Sequence, residues 1–388
     1  MSFYIDLSEF LGNPITTGIQ RIAGEICKYL PPNTAIPVRL HASEFVALPP
    51  ALIEAIGRHF GDVTRSGVGE INRLGAVEGA TRVILTQEDI VLVPEVFNNP
   101  PRLALFRQMP EQQFERCRFI VYDLLPMTHP QYFPPNTSAG AFAYYRMLGA
   151  ASCCGFISEE TRNDYYGRLK RSDDRGGVVL PLGCDSLGPR PRQATLNRPL
   201  TFSVLGTIEP RKNHELILDA FQPLLGEIAG LRLSFIGKMG WVDSEFSQKV
   251  HTLAADENSG FRFHSVSGDD DIRRCIERSR ATLYVSSAEG YGLPPVESLW
   301  VGTPVIASAM IPSLNRLGSQ GIHYVEPLSV VNLRRAVLEF MDDDYANRKT
   351  EEAMTLDLPT WKSFTKAVLS WCNSMPGDDS GNAALVRA

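Results

Sequence analysis

Short apolar runs followed by longer stretches of helical spacing recur along this chain, in both of its halves. Strands that alternate with helices pair in parallel, because each crossover helix returns the chain to the same edge, and the helices then cover the sheet. In the first half the apolar runs predict strands at 3–7, 35–40, 90–94, 118–123, 154–157 and 177–182. Helices are expected there near 15–30, 50–60, 140–151 and 158–170. The second half is more regular, with strands at 201–206, 231–236, 261–265, 281–287 and 304–307. Its helices fall at about 213–228, 243–256, 269–279, 295–301 and 330–342. Every strand in this half runs into a loop and a helix start, so a ligand is expected at the carboxyl edge of the second sheet.

A chain of 388 residues exceeds what one compact core usually organises. We therefore expect an α/β protein of two doubly wound, Rossmann-like domains, residues 1–187 and 200–358. The polar run 188–199, which opens as Gly188-Pro-Arg-Pro-Arg192, reads as the linker between them. Residues 359–374 read as one further helix, and the Gly-, Asp- and Ala-rich 375–388 as a flexible tail.

Hydrophobic content of 44% and charged content of 21% are those of an ordinary globular enzyme. A net charge of −6 excludes the broad basic footprint that nucleic-acid binding needs. The seven cysteines are scattered, without a Cys-x-x-Cys, and read as reduced thiols. A strand at Phe3–Leu7 leaves no room for a signal peptide, and no apolar run reaches the ~20 residues of a membrane-spanning helix. A cytoplasmic protein is expected, attached at most to a membrane surface. Tyr165-Tyr-Gly-Arg-Leu-Lys-Arg171 reads either as a solvated helix end or as a contact for anionic lipid headgroups. No His, Cys and Asp cluster has metal-ligand spacing, and Asp269–Asp271 reads as an acidic helix start. Neither a metal nor a cofactor is expected.

The chemistry concentrates in Glu289-Gly-Tyr-Gly-Leu-Pro-Pro-Val-Glu297, between a predicted strand and a predicted helix. Strand, glycine-rich turn and helix start present bare backbone N–H groups and a positive dipole end, which suit a phosphate. Glu289 and Glu297 suit hydroxyls instead, so the combination points to a sugar joined to a phosphate. Leu205-Gly-Thr-Ile-Glu-Pro-Arg-Lys-Asn213 opens another helix after another strand. There Arg211 and Lys212 stand against the helix dipole, a placement that suits a leaving pyrophosphate.

On these residues the chain resembles the retaining glycosyltransferases of the GT-B fold, family 4, over roughly residues 1–374 and most strongly across 200–345. That family carries Glu, seven residues, Glu, with Gly-Phe-Gly or Gly-Tyr-Gly after the first Glu. The form Thr-x-Glu-Pro-Arg-Lys-Asn is similar to the subgroup that builds bacterial surface polysaccharides. The resemblance implies two Rossmann-like domains facing a central cleft, with the helix 359–374 crossing back to the first. It makes Glu289, Arg211 and Lys212 catalytic, and Glu297 a partner of the nucleotide ribose. Gly290, Tyr291, Gly292 and Leu293 then supply backbone donors, while Gly237 and Val266 neighbour the base. Gly18, after the first strand, lets its loop approach phosphate or acceptor. Asp123 is the candidate for the acceptor proton, or else caps a turn. Tyr122 stands where many relatives have a His.

The function implied is transfer of a hexose, with retention and without a divalent ion, from a nucleotide diphosphate sugar to a glycan or polyprenyl-linked acceptor. GDP-mannose is placed ahead of a UDP-hexose. Two alternatives compete: a nucleotide-sugar epimerase or phosphorolytic enzyme on the same fold, and a non-catalytic sugar-nucleotide-binding partner.

Overall fold

A computed structural model of the chain describes residues 1–12, 18–61, 67–170, 177–265 and 268–374. The chain divides into two compact units: residues 1–128, 135–183 and 360 onward, and residues 129–134 with 184–359.

The first unit is built on β1 (Phe3–Asp6), β2 (Ile36–His41), β3 (Glu44–Ala47), β4 (Thr81–Arg82), β5 (Ile90–Val93), β6 (Cys117–Val121), β7 (Cys154–Phe156) and β8 (Val178–Val179). They lie in the order β4-β3-β2-β1-β5-β6-β7-β8. Every residue of β5 and β6 is buried, which is why these strands read as continuous apolar runs. The sheet is not wholly parallel: β2 with β3 and β3 with β4 are antiparallel. Neither β3 nor β4 was expected. The turn from β2 to β3 uses Ala42 and Ser43 at φ 45° and 72°, where glycine or asparagine would normally announce a hairpin. The helix Pro100–Gln108 was also missed, because its proline pair reads as a breaker. Proline is tolerated in a first turn, and the Asn99 side chain caps it by accepting from Arg102 N.

The C-terminal helix Trp361–Asn373 belongs to this first unit and packs with the helix Gly18–Tyr29. A capping box between Thr360 and Ser363 starts it, and Trp361 is fully buried.

The second unit contains β9 (Thr201–Leu205), β10 (Arg232–Ile236), β11 (Phe261–His264), β12 (Ala281–Tyr284), β13 (Val305–Ala307) and β14 (Ile322–Tyr324). All pair in parallel, in the order β11-β10-β9-β12-β13-β14. The final strand and the helix Asp343–Thr355 extend beyond the expected pattern. The order reverses between β9 and β12, so the crevice outside their carboxyl ends is the position where such a sheet binds ligands.

The linker expectation is corrected. The chain leaves the first unit at Gly183, and residues 188–199 are packed into the second. Arg190 donates to the carbonyls of Leu356 and Ala353 at 2.6 and 2.7 Å, and buried Arg198 donates to Gly302 O at 3.0 Å. The Trp300 indole donates to Gly188 O at 2.9 Å. Arginines that look solvated in sequence are here satisfying backbone carbonyls.

Candidate active site

Two loops meet at the strand-order reversal. One follows β9 as Gly206–Asn213 and the other follows β12 as Val285–Gly292. Asn213 joins them: its side-chain amide donates to Val285 O at 2.7 Å and to Ser287 Oγ at 2.8 Å. It adopts a left-handed conformation, φ 55°, which asparagine tolerates better than most residues. Ser287 N donates to Arg211 O at 2.7 Å, and Arg211 Nη1 to Ala288 O at 3.0 Å.

These bonds bring Arg211 and Glu289 into an ion pair, Nη1 to Oε2, of 2.6 Å. The other guanidinium nitrogen meets Glu209 Oε1 at 2.6 Å, and the same oxygen lies 3.6 Å from Lys212 Nζ. Glu289 is also fixed by Ser286, whose hydroxyl donates to Oε1 at 2.9 Å. Two cations and two carboxylates thus form one cluster whose side chains are 5–18% exposed. Each of the two cations is paired with an acid. Glu209, Asn213 and Ser286 were missed as functional candidates, since nothing in the string shows that Glu209 is buried or that Asn213 spans two loops.

The glycine-rich turn ends at Gly292, in the left-handed region at φ 86°, and caps the helix Leu293–Trp300. Its carbonyl accepts from Ser313 Oγ at 2.6 Å, and Tyr291 O accepts from Ser313 N at 2.8 Å. Gly290 and Tyr291 are buried, with Leu293 half-buried at the helix start. Glu297 lies deeper than the sequence suggests, in the middle of this helix and 7% exposed, with Ser186 Oγ donating to its Oε1.

Gly237 closes the loop after β10 against the loop after β9. A Cβ on Gly237 would lie 2.1 Å from Gly206 O, so no side chain fits. Gly237 N donates to His264 O at 3.1 Å, and Ile208 N to Lys238 O at 2.9 Å. Val266 lies outside the described residues. Below the cations His214, 2% exposed, stacks edge-on to Phe235 at 4.9 Å. Burial, with Lys212 nearby, pushes its pKa down to about 3, so the ring is neutral.

The first unit holds Gly18 and Asp123. Gly18 begins its helix exposed, and a Cβ there would meet nothing within 4 Å, so the protein itself does not require glycine. Asp123 follows β6 and accepts from Leu125 N at 3.0 Å, the turn-capping geometry. Tyr122 is buried and donates its phenol to Pro94 O. Ser158 caps the helix Glu159–Arg168. Tyr165 is corrected as a lipid contact: it is 1% exposed, with its hydroxyl donating to Leu148 O at 2.7 Å. Among the described residues no helix is long and apolar enough to cross a membrane.

Two α/β units on largely parallel sheets, with a glycine-rich turn at the switch point of the second, define the GT-B class of fold. Anabaena HepE in complex with UDP shares it, with a TM-score of 0.64 at 13% identity over 97% of this chain and 100% of that one. Sucrose-phosphate synthase of Thermosynechococcus elongatus does so at 0.60, with 13% identity over 95% and 98%. Residues 190–355 match the family described as Glycosyl transferases group 1. The serotype-specific mannosyltransferase WbdA of Escherichia coli is 29% identical over 271 residues, covering 65% of this chain and 33% of WbdA. The chain therefore spans about a third of the length of that relative. The O-antigen chain mannosyltransferase B of Escherichia coli is 30% identical over 244 residues, 60% of this chain and 63% of that protein.

Proposed function

We propose that the chain is a retaining glycosyltransferase that moves mannose from GDP-mannose, ahead of a hexose from a UDP-sugar, onto a glycan or polyprenyl-linked acceptor in surface-polysaccharide assembly. The observation that carries this is the Arg211–Glu289 pair at the strand-order reversal, beside Lys212 and the Gly292 helix cap. In the reaction the bond from the anomeric carbon to the β-phosphate oxygen breaks, and its electron pair leaves with the nucleoside diphosphate. The acceptor oxygen bonds to the same face, and its proton passes to the departing phosphate. Arg211 and Lys212 neutralise the charge that grows on the leaving group, which stabilises the transition state above the ground state. This is the work a divalent ion does in other transferases, and it supports metal-independent turnover. Glu289 holds sugar hydroxyls and favours the cationic character of the reacting carbon.

Glu297 is assigned to the ribose, and the backbone of residues 290–293 to the phosphates. Gly237 and Val266 are assigned to the base. Acceptor recognition, peripheral to the membrane where the acceptor is lipid-linked, is assigned to the first unit with Asp123 and Gly18. The mannosyltransferase relatives support the choice of donor.

The test is transfer from GDP-mannose, UDP-glucose and UDP-N-acetylglucosamine to a polyprenyl-linked glycan by the wild type and by Glu289→Ala. Undiminished transfer by the variant removes Glu289 from the mechanism. The buried Tyr122 favours a second reading, a non-catalytic sugar-nucleotide binder, because no imidazole is available at that position. Donor binding without turnover across an acceptor panel decides for it.

A further inference from the structure

Arg211 and Lys212 are adjacent in sequence and carry like charges, yet both side chains are held to one small region of the cluster. The carboxylate that holds them is Glu209. Its Oε1 takes the Arg211 Nη2 hydrogen bond at 2.6 Å and lies 3.6 Å from Lys212 Nζ. Its backbone carbonyl accepts from Lys212 N at 3.1 Å, which closes the turn Pro210–Lys212 over it. Glu209 is 5% exposed, against 15% and 18% for the two cations, so the acid is the deepest member of the group. On another side Lys212 is confined by Gly206, where a Cβ would lie 2.5 Å from Nζ. Glu289, the other acid on Arg211, belongs to a different loop and is assigned to the sugar.

We infer that Glu209 is a positioning residue that locks Arg211 and Lys212 together as a single reader of the donor's diphosphate. The inference rests on the proposed donor site. Adjacent unpaired cations repel and sample separate rotamers; a shared buried anion removes that freedom before the donor arrives, so the ordering cost is not charged to binding. Misplacement of such a group by about 1 Å costs on the order of 100-fold in rate.

The experiment compares the affinities of GDP and GMP, by calorimetry, in the wild type, Glu209→Gln, Glu209→Asp and Lys212→Ala. A ratio of affinities does not depend on the folded fraction, which a merely structural role would change. Glu209→Gln is expected to narrow the GDP-to-GMP ratio by about tenfold, the scale of one charge-assisted hydrogen bond. Glu209→Asp keeps the charge but is one methylene short, and is expected to fall between. Should Glu209→Gln fail to fold, a ratio below wild type in Glu209→Asp supports the inference in its place, and a wild-type ratio overturns it. A wild-type ratio in Glu209→Gln, with Lys212→Ala losing it, also overturns the role of Glu209 and leaves the donor site standing. An unchanged ratio in Lys212→Ala overturns the donor-site reading itself.

Discussion

Arg211 and Glu289 stand 2.6 Å apart although they belong to different crossover loops, one after β9 and one after β12. Their meeting follows from topology: those two strands are neighbours in space because the strand order reverses between them. On the proposed reading, a donor's phosphate would take the guanidinium and its sugar the carboxylate, exchanging the ion pair for two ligand contacts.

Glu289→Ala should therefore lower kcat by about 100-fold or more, the scale of losing one charge-stabilising group at a reacting centre. The fold should persist, since Arg211 keeps Glu209 as a counter-ion. Steady-state transfer from GDP-mannose, alongside a melting curve, measures both.

Gly237→Ala should destabilise the second unit by about 1–3 kcal/mol, because its methyl group would drive into the Gly206 carbonyl. Nucleotide affinity should fall with it, as the loops after β9 and β10 are pried apart. A lower urea midpoint and a weaker GDP titration are the expected readouts.

His214 has no hydrogen-bond partner for either ring nitrogen among the described residues. Its pKa in the folded protein, about 3, lies below the ordinary 6.5. Between those values the unfolded chain binds the proton and the folded one does not. Stability present above pH 6.5 is thus lost on acidification, by about 1.4 kcal/mol per unit. His214→Leu should abolish that slope and, by removing unpaired buried polar atoms, add about 1–3 kcal/mol at pH 7. Urea unfolding of the second unit between pH 4 and 7 tests it.

Glu95 gives the opposite slope in the first unit. Its carboxylate accepts from Glu9 N and Phe10 N and lies 3.5 Å from Arg102, but it is 1% exposed. Burial raises its pKa from 4.5 to about 8, with Arg102 pulling the other way. The folded state holds the proton between those values, so stability falls as pH rises through that window. Glu95→Gln should flatten the dependence, measured by urea unfolding from pH 5 to 9.

What the sequence disclosed was whatever is local. The β9–β14 pattern, the Gly-Tyr-Gly turn and the Arg211-Lys212 pair each declare themselves within a few residues. Glu209 did not, because an acid beside two cations reads as a solvated surface until its burial is known. The β2–β3 hairpin was hidden by Ala42 and Ser43, which occupy positive φ without the usual residues. The run 188–199 was misread because its arginines find partners far along the chain, in residues 302–356.

That packed run dictates where this chain can be recombined. A hybrid that joins the second unit to a different first unit should be cut between Gly183 and Cys184, and again between Pro359 and Thr360. A cut at residue 200, where composition invites one, would discard the carbonyls that receive Trp300 and Arg273 and the hydroxyl that steadies Glu297. Such a chimera would keep the loops after β9 and β12 intact while losing the brace behind them.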